Sequence, residues 1–392
     1  MMLGFLLARS GVDVTVLEKH ADFLRDFRGD TIHPSTLELM HELGLLEELL
    51  KRPHQAVSEL GGQIGGESVK MADFTHLPTR CKFIALMPQW DFLNFLVEKG
   101  RCYPGFQVRM QTEVIDLIEQ DGWIRGVRAK TPGGTIEIRA PLTVGADGRR
   151  SVVRECAGLQ VTDLGAPMDV LWMRLDRKPT DPGQTLGHVE AGKIFIMLNR
   201  EEYWQCAFII PKGGMDDIRG RGIEQFREVI TSLEPCLLDR VGELRDWNDI
   251  SLLTVKVDRL REWHRPGLLC IGDAAHAMSP IGGVGINLAV QDGVAAANIL
   301  AAKLEAGNVS DHDLQAVQRR REFPTHATQR LQVLIQNNVI RRVLASTRPL
   351  TVPWPLKLAQ RLAFLRRIPA RVIGMGFRPE HVNTPEKSPV RH

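Results

Sequence analysis

The sequence predicts an α/β protein with a nucleotide-binding unit of short strands and helices, a second and mainly antiparallel sheet, and a helical carboxyl-terminal region. Three observations predict it. Gly11 is followed by the alternating run Val12-Asp13-Val14-Thr15-Val16-Leu17, which ends in Glu18. The apolar run Gly267–Ile271 delivers Gly272-Asp273 into a glycine-rich turn and a long helix of small residues. Between Asp169 and about Val257 the apolar residues recur at period two, the spacing of half-buried strands. A chain of 392 residues has room for two or three such units.

Composition removes several classes. Fifty basic residues against 47 acidic give a net charge of +3, without the basic excess of a nucleic-acid binder. A hydrophobic content of 43% is too high for a disordered chain. The six cysteines contain no CxxC pair, so neither a disulfide framework nor a metal site is expected. No uninterrupted apolar run reaches the roughly 18–20 residues that span a bilayer. Met1–Ala8 lacks the basic flank of a secretory signal. The expectation is a soluble, cytoplasmic protein.

In chain order, Met2 to Ala8 reads as a helix, with Gly4 as the small residue that lets helix and sheet approach. Glu18, at the end of the following strand, is placed to accept hydrogen bonds from ribose hydroxyls. The preceding strand and a G-x-G-x-x-G turn are not in the sequence. The expectation is a late start, the alternative a degraded or repurposed relative. Ser35-x-x-Glu38 has the form of a capping box opening a helix. Gly61-Gly62 through Phe74 suggests strands leading toward the second sheet. Gln89 to Glu98 has helical spacing, with Trp90, Leu93 and Val97 on its expected buried face. Val108 to Arg139 holds strands with turns at Asp121-Gly122 and Pro132-Gly133-Gly134. Val170–Leu175, Ile194–Leu198 and Trp204–Ile210 are the period-two strands, covered by a helix over Ile223–Leu233. Trp172, Phe195, Trp204 and Phe208 are candidates for the wall of a substrate pocket. The same aromatics at strand spacing also suit an ordinary core.

Two segments carry the chemistry. Val144-Gly145-Ala146-Asp147-Gly148-Arg149-Arg150-Ser151 leaves a carboxylate at a strand's carboxyl end, where open α/β sheets bind ligands. In the second, Gly272-Asp273 precedes Pro280-Ile281-Gly282-Gly283-Val284-Gly285-Ile286-Asn287. Glycines there let bare backbone lie against a flat ring, and the following helix start offers free N–H groups and a positive dipole end. His276 reads as a structural hydrogen-bonder rather than a general base.

Together these segments resemble, in order and spacing, the flavin-dependent aromatic hydroxylases, the para-hydroxybenzoate hydroxylase-like FAD monooxygenases. The resemblance implies a Rossmann-like FAD-binding domain from residues 1–60, 82–168 and 256–310. It implies a substrate domain from residues 61–81 and 169–255, and a helical region over 311–392. It places Glu18 at the adenosine ribose, Asp147, Gly148 and Arg149 near the pyrophosphate, and Gly272 and Asp273 at the ribityl chain. Pro280, Gly282, Gly283, Gly285 and Asn287 would contact the isoalloxazine, and Gln89 and Arg28 would face the cofactor. The implied activity takes electrons from NADPH or NADH and hydroxylates an aromatic, polyketide-like or quinone-like small molecule with O2 through a flavin C4a-hydroperoxide. No side-chain nucleophile or metal is required. A flavin-dependent reductase or dehydrogenase of the same fold, or a non-catalytic lipid- or partner-binding relative, stays open.

Arg341 to Arg378 holds nine Lys or Arg and no acidic residue. Leu358, Leu362 and Leu365 recur at helical spacing beside Lys357, Arg361 and Arg366. Such a pattern suits weak contact with an anionic membrane or a helix packed on its own domain with a solvated basic face. Pro349, Pro353, Pro355 and Pro369 divide it into short pieces.

Overall fold

The structure is a computed structural model and describes residues 1–24, 31–183 and 186–387. Helix Met2–Arg9 is buried along its length and lies on a parallel pair, Val14–Leu17 with Phe106–Arg109. A Cβ on Gly4 would stand 2.8 Å from Val16 Cγ2, so this helix reaches the strands only because residue 4 has no side chain. A second parallel pair, Thr143–Gly145 with Leu268–Cys270, is extended by His264–Arg265. No described strand bridges the two pairs. Thr15 is exposed, and Val14, Val16, Thr143 and Val144 are half-buried, unlike strands enclosed on both faces of a doubly wound sheet. An antiparallel meander, Glu113–Gln120, Trp123–Thr131 and Gly134–Arg139, turns at the two expected places.

The second sheet has seven strands. Ile250–Leu253, Met168–Asp176, Tyr203–Pro211, Lys193–Asn199 and Leu186–Glu190 run antiparallel. Leu186–Glu190 then pairs in parallel with Glu59–Ile64, and Glu67–Asp73 forms the far edge. Helix Ile223–Leu233 covers one face with Phe226, Ile230 and Leu233. The other face packs in a cluster with Val255, Val257, Val333, Ile340, Val343 and Leu344.

Helix Gly285–Glu305 is the one described helix long and apolar enough, by composition, to cross a bilayer. It is mostly buried, packed between helices Met2–Arg9 and Asp311–Ile335, so its apolar character is that of a core element. Helix Asp311–Ile335 opens with a capping box at Ser310 and continues through a π turn, Gln336–Ile340. The chain's last described stretch returns to the first helix, where Lys387 N–H donates to Arg9 O at 2.9 Å.

Two local expectations change. The first concerns the helix at Ser35, which runs Pro34–Glu42 with His33 as its N-cap. Pro34 pre-sets the backbone one residue earlier, and Glu38 leaves the capping role to accept from Arg80 N–H at 2.9 Å. In helix Gln89–Gly100 the buried face is Phe92, Phe95, Leu96 and Val97, whereas Trp90 and Leu93 are half-exposed. Gly100 closes against the Phe106 ring, where a Cβ would fall 2.4 Å from a ring carbon. That contact turns the helix toward its phenylalanines.

Candidate cofactor and active site

The glycine turn is built by backbone geometry and held from three sides. Gly272, Gly282 and Gly283 have φ of +59°, +76° and +62°, a region that side chains strongly disfavour. A Cβ on Gly283 would fall 2.2 Å from Thr31 Oγ1, and that hydroxyl donates to Gly283 O at 2.9 Å. Asn287 clamps the start of its helix to the segment before Pro34. Its Oδ1 accepts from His33 N–H and Thr36 Oγ1, both at 2.8 Å, and its Nδ2 donates to Thr31 O and Gly283 O. With all four hydrogen-bonding positions used inside the protein, the Asn287 side chain shapes the turn. His33 is buried, and its Nδ1 lies 2.8 Å from Ile373 O. Burial lowers its pKa to about 4 against the opposing pull of the Ile373 and Gly282 carbonyls, so the ring is neutral at pH 7.

Three glutamines of the long helix hold the other side of the turn. Gln329 Nε2 donates to Asp258 O and Ala277 O. Gln332 Nε2 donates to Ser279 O and Ile281 O, while its Oε1 accepts from Ser279 N–H at 3.1 Å. Gln336 Nε2 donates to Ser279 Oγ at 2.7 Å. Positions i, i+3 and i+7 share one helix face, and that face grips the backbone leading into Pro280. The sequence reading missed this set, because a polar stripe reads as a solvent face.

Below the turn lies a buried charge network. Asp292 is fully buried and accepts from Gly272 N–H at 3.0 Å, from the His276 ring at 2.6 Å and from Arg321 Nε at 2.8 Å. Arg321 continues to Glu380 at 3.1 Å, and Arg320 binds the same carboxylate. Burial alone would raise the Asp292 pKa, but the His276 ring and the Arg321 guanidinium outweigh it and hold the carboxyl below its ordinary range. His276 is thus tied into this network with its ring against Trp263, centroids 4.8 Å apart.

Asp273 and Arg149 pair beside the turn, with Arg149 Nη2 3.3 Å from Asp273 Oδ2 and both side chains about 30% exposed. Gly285 brings the helix start within reach, since a Cβ there would lie 3.9 Å from Asp273 Oδ1. Asp147 accepts from Ser151 Oγ at 2.5 Å and from Val153 N–H at 3.2 Å, so its carboxylate braces the start of helix Val152–Cys156. Gly148, at φ +87°, turns the chain so that Arg149 can reach Asp273. Behind it, buried Arg154 pairs with Asp258 and donates to the carbonyls of Ala274 and Arg149, joining the two motifs. Glu18 is half-buried at the end of strand Val14–Leu17, and Gln89 is half-buried at the first residue of its helix. Pro280 is half-buried at the entry to the turn. Arg28 lies outside the described residues.

The second sheet corrects three of the four pocket candidates. Phe195, Trp204 and Phe208 project from the face covered by helix Ile223–Leu233, and Phe208 meets Phe226 edge-on at 5.3 Å. Trp172 projects from the opposite face, with Val170, Ile194, Ile196, Ala207 and Ile209, in a cluster that also takes in Ile281 of the glycine turn and Val255, Val257, Val333, Ile340 and Val343. Period two separates the faces of a strand without saying which is covered. The cue lay in helix Ile223–Leu233, whose apolar stripe needs the bulkier face. Phe208→Ala is therefore expected to cost about 3–5 kcal/mol of stability, seen in urea unfolding, while leaving substrate preference unchanged. Ala207 is 2% exposed in the cluster on the other face, so Ala207→Phe should also destabilise, by about 1–3 kcal/mol, through overpacking.

These residues fit FAD. Among the described residues Arg149 Nη1 is buried without a hydrogen-bond partner, a cationic donor suited to a phosphate oxygen. Helix Gly285–Glu305 starts at Val284 without a side-chain cap, so its first N–H groups suit the electron-rich pyrimidine edge of a flavin. Asp273 is the accessible acceptor beside them.

Comparison with known proteins agrees. Residues 1–331 match the model of the FAD binding domain family. The chain is 33% identical over 374 residues to 6-methylpretetramide 4-monooxygenase of Streptomyces rimosus, covering 94% of this chain and 89% of that protein. It is 26% identical over 318 residues to dialkyldecalin synthase of Streptomyces rugosporus, covering 75% of this chain and 61% of that one. In fold it resembles the anhydrotetracycline hydroxylase of Streptomyces rimosus, with a TM-score of 0.72 at 21% identity over 95% of this chain and 73% of that one. With the geometry of the turn and the Arg149–Asp273 pair, these matches show that the chain belongs to the FAD-binding-domain family of aromatic FAD-dependent monooxygenases.

Proposed function

We propose that this protein hydroxylates a polycyclic, polyketide-like aromatic molecule, using FAD, O2 and electrons from NADPH or NADH. The observation that carries this reading is that Ile281, in the glycine turn, belongs to the same apolar cluster as Trp172 on the second sheet. A ring seated on the turn backbone would have an apolar wall beside it. When bound, FAD would supply the activation of O2 that no side chain can provide. Glu18, Arg149 and Asp273 would bind its ribose, phosphate and ribityl groups. The N–H groups at the start of helix Gly285–Glu305 would stabilise charge at the pyrimidine edge. Trp172 and Ile196, the half-buried members of that face, would orient the substrate and exclude water. Asp147 would act through helix Val152–Cys156 rather than by touching the cofactor.

The substrate class draws support from the Streptomyces rimosus relative, whose name specifies a pretetramide. The test is to purify the protein with added FAD, record flavin absorbance near ~450 nm, and follow O2 uptake with NADPH and a tetracyclic aromatic polyketide. The expected result is a yellow protein whose O2 uptake rises with substrate and whose product gains one oxygen atom. A colourless protein that takes up no FAD overturns the reading. NADPH oxidation without an oxygenated product assigns a reductase of the same fold instead.

A further inference from the structure

We infer that the carboxyl-terminal segment Trp354–Arg371 is a docking surface for an anionic lipid bilayer. Sixteen large apolar residues are exposed among the described residues, and five of them fall in this short segment. Trp354, Leu358, Leu362, Phe364 and Ile368 are 75%, 39%, 41%, 56% and 63% exposed. Trp354, Leu358 and Leu362 recur every four residues, so they form one stripe on helix Trp354–Arg361 and its C-cap. Lys357, Arg361, Arg367 and Arg371 are exposed around them.

The stripe is exposed while its underside is docked. Gln360 pairs with the backbone of Lys70 on the sheet's edge strand, its Nε2 2.6 Å from Lys70 O and its Oε1 3.3 Å from Lys70 N. Ala370 is fully buried, and Ile373 packs into the cluster of Phe74, Leu77 and Ile84. The segment is therefore held from below, and its apolar stripe faces outward as a firm ledge.

Charge selects the occupant. Between Arg341 and Arg378 there are nine cationic residues and no acidic one. Two copies of this face would oppose like charges, whereas an anionic bilayer meets both features at once. Aromatic rings at the level of the headgroups and apolar side chains below them would supply the apolar part of binding. Each cation near such a surface contributes about fivefold in affinity. The surface is separate from the cofactor site and does not depend on the flavin reading. It would bring an apolar substrate dissolved in the bilayer near the protein.

The experiment is co-sedimentation of the full chain with vesicles of phosphatidylcholine, with or without phosphatidylglycerol. Binding to the phosphatidylglycerol vesicles should be at least about tenfold stronger and weaken with added salt. Lys357→Glu/Arg361→Glu should lower it by at least about 25-fold and, separately, Phe364→Asp/Ile368→Asp by at least about tenfold, with the circular dichroism spectrum unchanged because these side chains are exposed. Equal binding to both vesicles, or binding that neither variant weakens, overturns the inference. A dimer in solution that the same variants dissociate also overturns it and gives the face to a second copy of the chain. Loss of FAD binding would not alter any of these outcomes.

Discussion

Asp292→Ala is expected to destabilise the chain by about 3–5 kcal/mol, the scale for breaking a buried ion pair from one side. Removing the carboxylate leaves Arg321 buried with one acidic partner, Glu380, and takes the acceptor from Gly272 N–H and from the His276 ring. Each of those groups is away from water, and an unsatisfied buried donor carries its full desolvation cost. The measurement is the midpoint of urea unfolding followed by circular dichroism. A change below about 1 kcal/mol would mean that the network is exchangeable for water, contrary to its burial.

The same carboxylate gives a pH dependence of definite sign. Its folded pKa lies below the ordinary 3.8 because the attraction of His276 and Arg321 exceeds the effect of burial. An unfolded chain therefore takes up this proton at a higher pH than the folded one. The stabilisation is complete above about pH 3.8 and is lost as the pH falls through the lower folded value. As far as this carboxyl's own titration goes, the stability difference between the natural chain and Asp292→Asn should accordingly shrink as the pH falls below about 3.8.

Asp273→Ala should act on the cofactor and hardly on the fold. Its partner is Arg149 at 3.3 Å, and both side chains are about 30% exposed, so the pair adds less than about 1 kcal/mol to stability. A charged hydrogen bond to a ribityl hydroxyl is worth about 1.5–3 kcal/mol. Its loss should weaken FAD binding by about 10- to 150-fold, read by titrating the apoprotein with FAD and following flavin fluorescence. Asp147→Ala provides the contrast. It removes a helix brace worth about 1 kcal/mol and should lower stability more than affinity. If the two variants behaved alike toward FAD, Asp273 would lose its assigned contact.

Much of the site was legible because its chemistry needs residues with conspicuous local signatures. Gly282 and Gly283 take positive φ, and Gly4 and Gly100 permit close approach, so glycine at those positions is dictated by the backbone. The strands of the second sheet and helix Ile223–Leu233 were legible from period two and period 3.6. Local roles were less legible where a side chain had two possible partners. Asp147 accepts from Ser151 Oγ and Val153 N–H, a brace that an Asp-Gly turn does not announce in sequence. Asn287 clamps the turn to Thr31 and His33, more than 250 residues away.

The sequence by itself determined the α/β character, the order of the motifs, and a turn that must be glycine to exist, because strand periodicity and backbone sterics act within a few residues. Tertiary structure alone decided which sheet face meets that turn and that Gln329, Gln332 and Gln336 grip it. It also decided that Asp292 is met by Arg321 from helix Asp311–Ile335 and by Gly272 and His276 from the segment after strand Leu268–Cys270. Those outcomes depend on contacts between distant segments. A carboxylate, an amide or an aromatic ring carries no local mark of whether water, backbone or another side chain will meet it.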